Sequence, residues 1–167
     1  MIDDAGAVAN YYLDASALVK LVADDVDEGP GRVELRRRFH GEQLSYSTSY
    51  CIAEALSAFK VKWLRGRITQ SQYHRDVREF FRLVVSGLTV DEVPLSAQVL
   101  NEAERLMAAH SIDFVDAIQV VTVVRGRFAG LVGGSQTVLI TADRELARAA
   151  RAEGCRVWEC TTEAAPR

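Results

Sequence analysis

The sequence predicts an α/β domain: a doubly wound parallel sheet of about five strands with helices on both faces. Three observations point to it. Short apolar segments of strand length alternate with longer segments whose apolar residues recur at helical spacing, so successive strands must be joined by crossovers. No repeat, low-complexity run or linker divides the chain, which predicts a single domain over 1–167 with a short N-terminal extension, 1–7, and a flexible C-terminal tail, 161–167. At 167 residues, with 49% hydrophobic and 26% charged, the chain is long enough to bury a full core.

The first strand is read at Val8 to Leu13, an apolar and aromatic run that ends at Asp14. A helix follows it, with Ala17, Leu18, Leu21 and Val22 on one face. Turn signals at Gly29, Pro30 and Gly31 precede an arginine-rich helix, and Gln43 to Ser47 reads as a second strand. From Ser49 to Arg65 the residues Ile52, Leu56, Phe59 and Trp63 fall at i, i+4, i+7 and i+11, and Gly66 is a natural stop. Thr69 and Gln72 form a T-x-x-Q capping box for a helix whose stripe is Tyr73, Val77, Phe80 and Val84. These two helices are expected to form a hairpin with Tyr73 and Phe81 near the seam. A third strand is expected from Leu88 to Val93, stopped by Pro94. A helix through Val99, Leu100, Ala103, Leu106 and Met107 and another from near Asp113 past Val121 come next. The stretch RGRFAGLVGGSQ reads as a loop punctuated by Gly126, Gly130, Gly133 and Gly134. Strand four is placed at Thr137 to Ile140, a helix at Arg144 to Glu153, and a last strand at Arg156 to Trp158.

Composition narrows the function classes. A formal charge of −3 and a pI near 5.6 are not the profile of a protein held to nucleic acid by charge alone. Cys51, Cys155 and Cys160 form an odd set without C-x-x-C or zinc spacing, which points to a reducing, cytoplasmic setting. The opening MIDDAGAVAN is acidic and does not read as a signal peptide, and no apolar stretch reaches a membrane span. His40, His74 and His110 are scattered, so metal-free histidine chemistry is not arranged here. GGSQT lacks the lysine of a phosphate-binding P-loop.

The chemistry lies in four acids at the ends of elements or on helices: Asp14 in YYLDASALVKL, Glu54 in CIAEALSAF, Asp116 in DFVDAIQV and Asp143 in LITADRELARAA. In doubly wound sheets, ligands bind beyond the carboxyl ends of the strands, where Asp14 and Asp143 would sit. Two unit negative charges about 4 Å apart repel by roughly 4 kcal/mol at an effective dielectric near 20. A divalent cation relieves such a cluster, and all-oxygen donors suit the hard ions Mg²⁺ and Mn²⁺. Each acid also has a plainer reading. Asp14 and Asp143 suit helix N-caps, Asp116 suits a first helical turn capped by Asp113, and Glu54 suits a solvated flank. Asp113 lies three residues before Asp116 and is either a further ligand or that cap; the cap is favoured.

Taken together, LDASALVKL with Asp14 and Ser16, AEALSA with Glu54, DAIQV with Asp116, and TADRELARAA with Thr141 and Asp143 resemble PIN-domain proteins. They are most similar to the VapC toxins of bacterial toxin–antitoxin pairs, and the resemblance covers nearly the whole chain. It implies strand order 3-2-1-4-5, an acidic pocket binding Mg²⁺ or Mn²⁺, and endoribonuclease activity. It matches Asp14, Glu54, Asp116 and Asp143 to the family's acidic positions and Ser16 and Thr141 to its accessory polar ones. Asp14 and Asp116 are then expected as direct metal ligands, with Glu54 and Asp143 binding directly or through water. A homodimer and an antitoxin partner are also implied.

Basic residues that would hold RNA are Arg36, Arg37 and Arg38, the cluster Lys60, Lys62, Arg65 and Arg67, and the pair Arg125 and Arg127. Lys20 and Arg144, closest in sequence to ligand candidates, are the better choices for the scissile phosphate. A non-catalytic interaction module with the same fold is the alternative of a different class. A receiver-type signalling domain fits poorly, since the third strand leads to Pro94 and no lysine follows the last one.

Overall fold

Alternation along the central strands sends neighbouring side chains to opposite faces, and this divides the core in two. In strand β1 (Ala9–Leu13), Tyr11 and Leu13 join one buried cluster and Tyr12 the other. In β4 (Gln136–Thr141), Val138 and Ile140 take the first side and Leu139 the second. A sheet apolar on both faces must be covered on both, which is the arrangement of a parallel α/β sheet.

The computed structural model describes residues 9–23, 31–41, 44–129 and 136–166. The expected extension 1–7, the turn signals Gly29 and Pro30, Gln43 and the glycines Gly130, Gly133 and Gly134 lie outside the described residues. After β1 come α1 (Ala15–Val22), α2 (Gly31–Phe39), β2 (Leu44–Ser47), α3 (Ser49–Leu64) and α4 (Gln70–Gly87). Then follow β3 (Thr89–Val90), α5 (Ala97–His110), α6 (Phe114–Arg125), β4, α7 (Arg144–Ala152) and β5 (Arg156–Glu159). All strands pair in parallel, in the order β3-β2-β1-β4-β5, as expected. Helices α1 to α4 supply one cluster, including Leu18, Leu21, Leu35, Phe59 and Phe80; α5 to α7 supply the other, including Leu106, Ile118 and Leu146.

The α3–α4 hairpin forms as expected, with the Thr69–Gln72 capping box complete. Phe59 meets Phe80 edge-on at 5.7 Å and Trp63 stacks on Tyr73 at 5.0 Å. Phe81, expected near this seam, is half exposed instead, because Phe80 and Leu83 are the residues that α4 turns inward. The buried stripe of α3 is Cys51, Ala55 and Phe59, with Ile52 and Leu56 on its shoulder.

The third strand is much shorter than the expected Leu88 to Val93. Pairing ends after Val90 because side chains hold the next residues in other directions. The Asp91 carboxylate accepts from Tyr12 Oη and pairs with Arg127 at 3.2 Å, while Glu92 accepts from Ser49 N and Oγ at 2.8 and 2.7 Å. Residues 161–166, where the sequence suggested a flexible tail, fold back on the domain. Ala165 packs on the core, Trp158 Nε1 donates to Glu163 O at 3.1 Å, and Arg38 donates to Pro166 O. Gly31, read from sequence as a turn residue, begins α2, and its lack of a side chain has a steric reason. A Cβ there would lie 1.4 Å from the Cys160 carbonyl oxygen.

Candidate active site

Strand order runs outward from β1 to β3 on one side and from β4 to β5 on the other, so it reverses between β1 and β4. That is where such sheets open a crevice at their carboxyl edge. Asp14 is the first residue beyond β1, and Thr141 is the last residue of β4.

These ends are tied together by hydrogen bonds. Ser16 Oγ donates to Asp14, lying 3.0 and 2.9 Å from its two oxygens, and accepts from Ala142 N at 2.7 Å. Thr141 Oγ1 donates to Asp14 Oδ2 at 2.9 Å and accepts from Asp143 N at 2.8 Å. Asp14 Oδ1 also takes Ala17 N at 2.8 Å, which makes Asp14 the N-cap of α1. The capping reading and the site reading therefore both hold for this residue. Asp14 is buried, and burial pushes its carboxyl up to about 6 against the opposing hydrogen bonds from Ala17, Ser16 and Thr141.

Asp143 caps α7, accepting from Glu145 N at 2.7 Å and Leu146 N at 3.1 Å through one oxygen. Asp113 caps α6, accepting from Asp116 N at 2.9 Å, as favoured from the sequence. Asp116 is partly buried in the first turn of α6, and Glu54 is partly buried on α3. Asp116 is pushed up to about 8, by burial first and then by the charges of Asp113, Asp14, Asp143 and Glu54. Glu54 is raised by burial, then by Asp113 and Asp143. Four elements thus bring their acids within electrostatic reach of one another. Asp113 is part of this cluster through its charge although its side chain is committed to a cap. Its i, i+3 spacing from Asp116 was the signal for that.

The donors are all carboxylate and hydroxyl oxygens, and the mutual repulsion on Asp116 and Glu54 is what a bound dication would relieve. Among the described residues, no three acidic, histidine or cysteine side chains form a ready-made metal cage.

The side chains of the arginine run expected to face RNA make contacts within the chain. Arg36 Nε donates to Leu21 O at 2.7 Å, Arg37 and Arg38 both pair with Glu34, and Arg38 also donates to Tyr11 Oη. Lys60 sits over the Trp63 ring at 4.0 Å, Arg125 pairs with Glu102, and Arg127 pairs with Asp91. Arg65 and Arg67 are exposed just after α3. Lys20 is partly buried on α1 and Arg144 is exposed at the start of α7, next to Asp143. A buried polar contact joins Cys51, named in the sequence only for its place in the cysteine set, to Gln119, which the sequence reading did not name. Cys51 Sγ donates to Gln119 Oε1 at 3.4 Å, and both residues are fully buried.

Comparison with known proteins agrees with this architecture. A family model described as PIN domain matches residues 11–152. Among solved structures, the crystal structure of PAE2754 from Pyrobaculum aerophilum is similar, with a TM-score of 0.57 and 23% identity over 89% of each chain. At that identity the likeness speaks for the fold. A comparison with curated proteins found no match.

Proposed function

The chain belongs to the PIN-domain family, a nuclease-type fold, and from that premise we propose that it is a Mg²⁺- or Mn²⁺-dependent endoribonuclease, the toxin of a toxin–antitoxin pair. The observation that carries this reading is the electrostatic state of Asp116. Its carboxyl is raised by burial first and then by the charges of Asp113, Asp14, Asp143 and Glu54. Carboxylates from separated segments whose charges converge on Asp116, and in part on Glu54, point to a site for positive charge.

Asp14 and Asp116 are the side chains that would hold the metal directly, with Glu54 and Asp143 binding it through water or directly. The metal would supply a more acidic water and positive charge opposite the phosphate oxygens. The chain's own residues do the positioning. Ser16 and Thr141 hold the Asp14 carboxylate in one orientation, and the Ala142 N–H fixes Ser16 in turn. Glu54, raised by burial and by Asp113 and Asp143 and proposed to reach the metal through water or directly, is suited to taking a proton from water. Lys20 and Arg144, on the helices that begin beside Asp14 and Asp143, would bind the nucleic-acid phosphates nearest the acids. RNA is the preferred substrate because the motifs resemble those of RNA-cleaving toxins. An antitoxin inserting an arginine toward the acids, and a homodimer, complete the proposal.

The test is cleavage of total cellular RNA by the purified protein with Mg²⁺, with Mn²⁺ and with EDTA. Metal-dependent internal cuts that vanish in Asp116→Asn are expected. Equal cutting by the pure variant would remove Asp116 from the chemistry, and no cutting by the parent under any metal would leave the interaction-module reading in its place.

A further inference from the structure

We infer that a cleft beside the acids is a phosphate-binding subsite, holding the nucleic-acid phosphate next to the one at Asp14. The cleft has a volume of about 220 Å³ and is lined by Ser16, Lys20, Arg32, Lys62, Ala142 and Thr161. Three cations from three different helices, α1, α2 and α3, face one small space in a chain whose formal charge is −3.

Its position gives it a role in the reaction. Ser16 and Ala142 belong both to this cleft and to the hydrogen-bonded group around Asp14, so the cleft adjoins the acids. A polyanion whose scissile phosphate lies at the acids can place a neighbouring phosphate in this cleft, because the two share Ser16 and Ala142. Arg32 gives the cleft a fixed charge: it is 5% exposed, and its Nη2 donates to Val22 O at 3.3 Å. Thr161 adds a hydroxyl from the segment after β5. Lys20, Arg32 and Lys62 each engage other groups of the chain as well, so an arriving phosphate exchanges with those partners. The subsite also explains how an acidic protein binds an acidic polymer. Repulsion at the carboxylates is offset by cations on the adjoining wall.

This inference rests on the nuclease reading, and its test separates the two. Affinity of a fluorescein-labelled single-stranded oligoribonucleotide for the Asp116→Asn protein is measured over a salt series without divalent metal. Each phosphate contact on a single strand contributes about 0.7 to the slope of log affinity against log salt. Adding Lys62→Ala should flatten that slope by about 0.7 and weaken binding several-fold at low salt, with Lys62→Arg restoring both. Arg82→Ala removes one charge from α4, where Arg82 pairs with Glu79, and should leave the slope unchanged. Equal slopes for the parent and Lys62→Ala, or an equal loss in Arg82→Ala, would overturn the subsite. Should that happen while the unmodified chain still cleaves RNA with Mg²⁺, the nuclease reading stands alone. A parent that neither cuts nor binds the oligonucleotide sinks both.

Discussion

Asp116 carries opposing demands on one side chain. Its place in the first turn of α6 favours a negative charge through the helix dipole, yet burial and four neighbouring acids disfavour it more strongly. The consequence for stability has a definite sign. A carboxyl held at about 8 in the folded chain binds its proton more tightly than in the unfolded chain, so the folded state carries more protons between about pH 4 and pH 8. Stability from this group is therefore complete below the unfolded value and is lost as pH rises through 8. Asp14, at about 6, and Glu54, also raised, act in the same direction. In EDTA, the melting temperature should fall from pH 5 to pH 8.5, and Asp116→Asn should flatten the fall and stabilise the protein at the alkaline end. A metal-free protein equally stable at both ends, or a variant less stable than its parent at pH 8.5, would contradict the assignment.

At the scale of elements, caps and chemistry share residues, and substitution can pull them apart. The Asp143 oxygen that accepts from Glu145 N and Leu146 N starts α7, and losing such a cap costs about 1 kcal/mol. Asparagine keeps the accepting oxygen and removes the charge that acts on Asp116 and Glu54. Asp143→Ala should lower stability by about that amount, Asp143→Asn should keep most of it, and both should lose metal-dependent cleavage. Thermal melts beside a cleavage assay read the two effects, and full cleavage by Asp143→Asn would reduce the residue to a cap. Local signals of this kind were readable in the sequence, because a cap, a capping box or an amphipathic stripe involves residues within a few positions of each other. The Thr69–Gln72 box and the Asp113 cap are examples. What could not be read was set by distant partners. Arg38 looks like an RNA contact until Glu34, Tyr11 and Pro166 take up its guanidinium, and β3 looks longer until Tyr12, 79 residues away, draws Asp91 aside. The four acids were legible as a set through their motifs, whereas the cationic cleft was not, since Lys20, Arg32 and Lys62 meet only through the packing of α1, α2 and α3.

For the molecule as a whole, the site works against the fold that builds it. Two central strands and three helix starts place like charges at one edge of the sheet, and the hydrophobic clusters on its two faces have to hold them there. Any ligand that binds only the folded chain returns stability by mass action, about 2.7 kcal/mol at a hundred times its dissociation constant. For a domain of this size, that corresponds to a rise in melting temperature of roughly 5 to 10 °C. Mg²⁺ or Mn²⁺ should therefore raise the melting temperature, whereas NaCl at matched ionic strength should not. Protons compete with the metal for Asp116 and Asp14, so the rise should be larger at pH 8 than at pH 6. Asp14→Asn and Asp116→Asn should each abolish most of it, because each removes a carboxylate proposed to touch the ion. A non-catalytic module that merely keeps the fold has no reason to show any of this. A flat response to both cations, or a full response in the two variants, would mean that the acids are held together for some purpose other than metal binding.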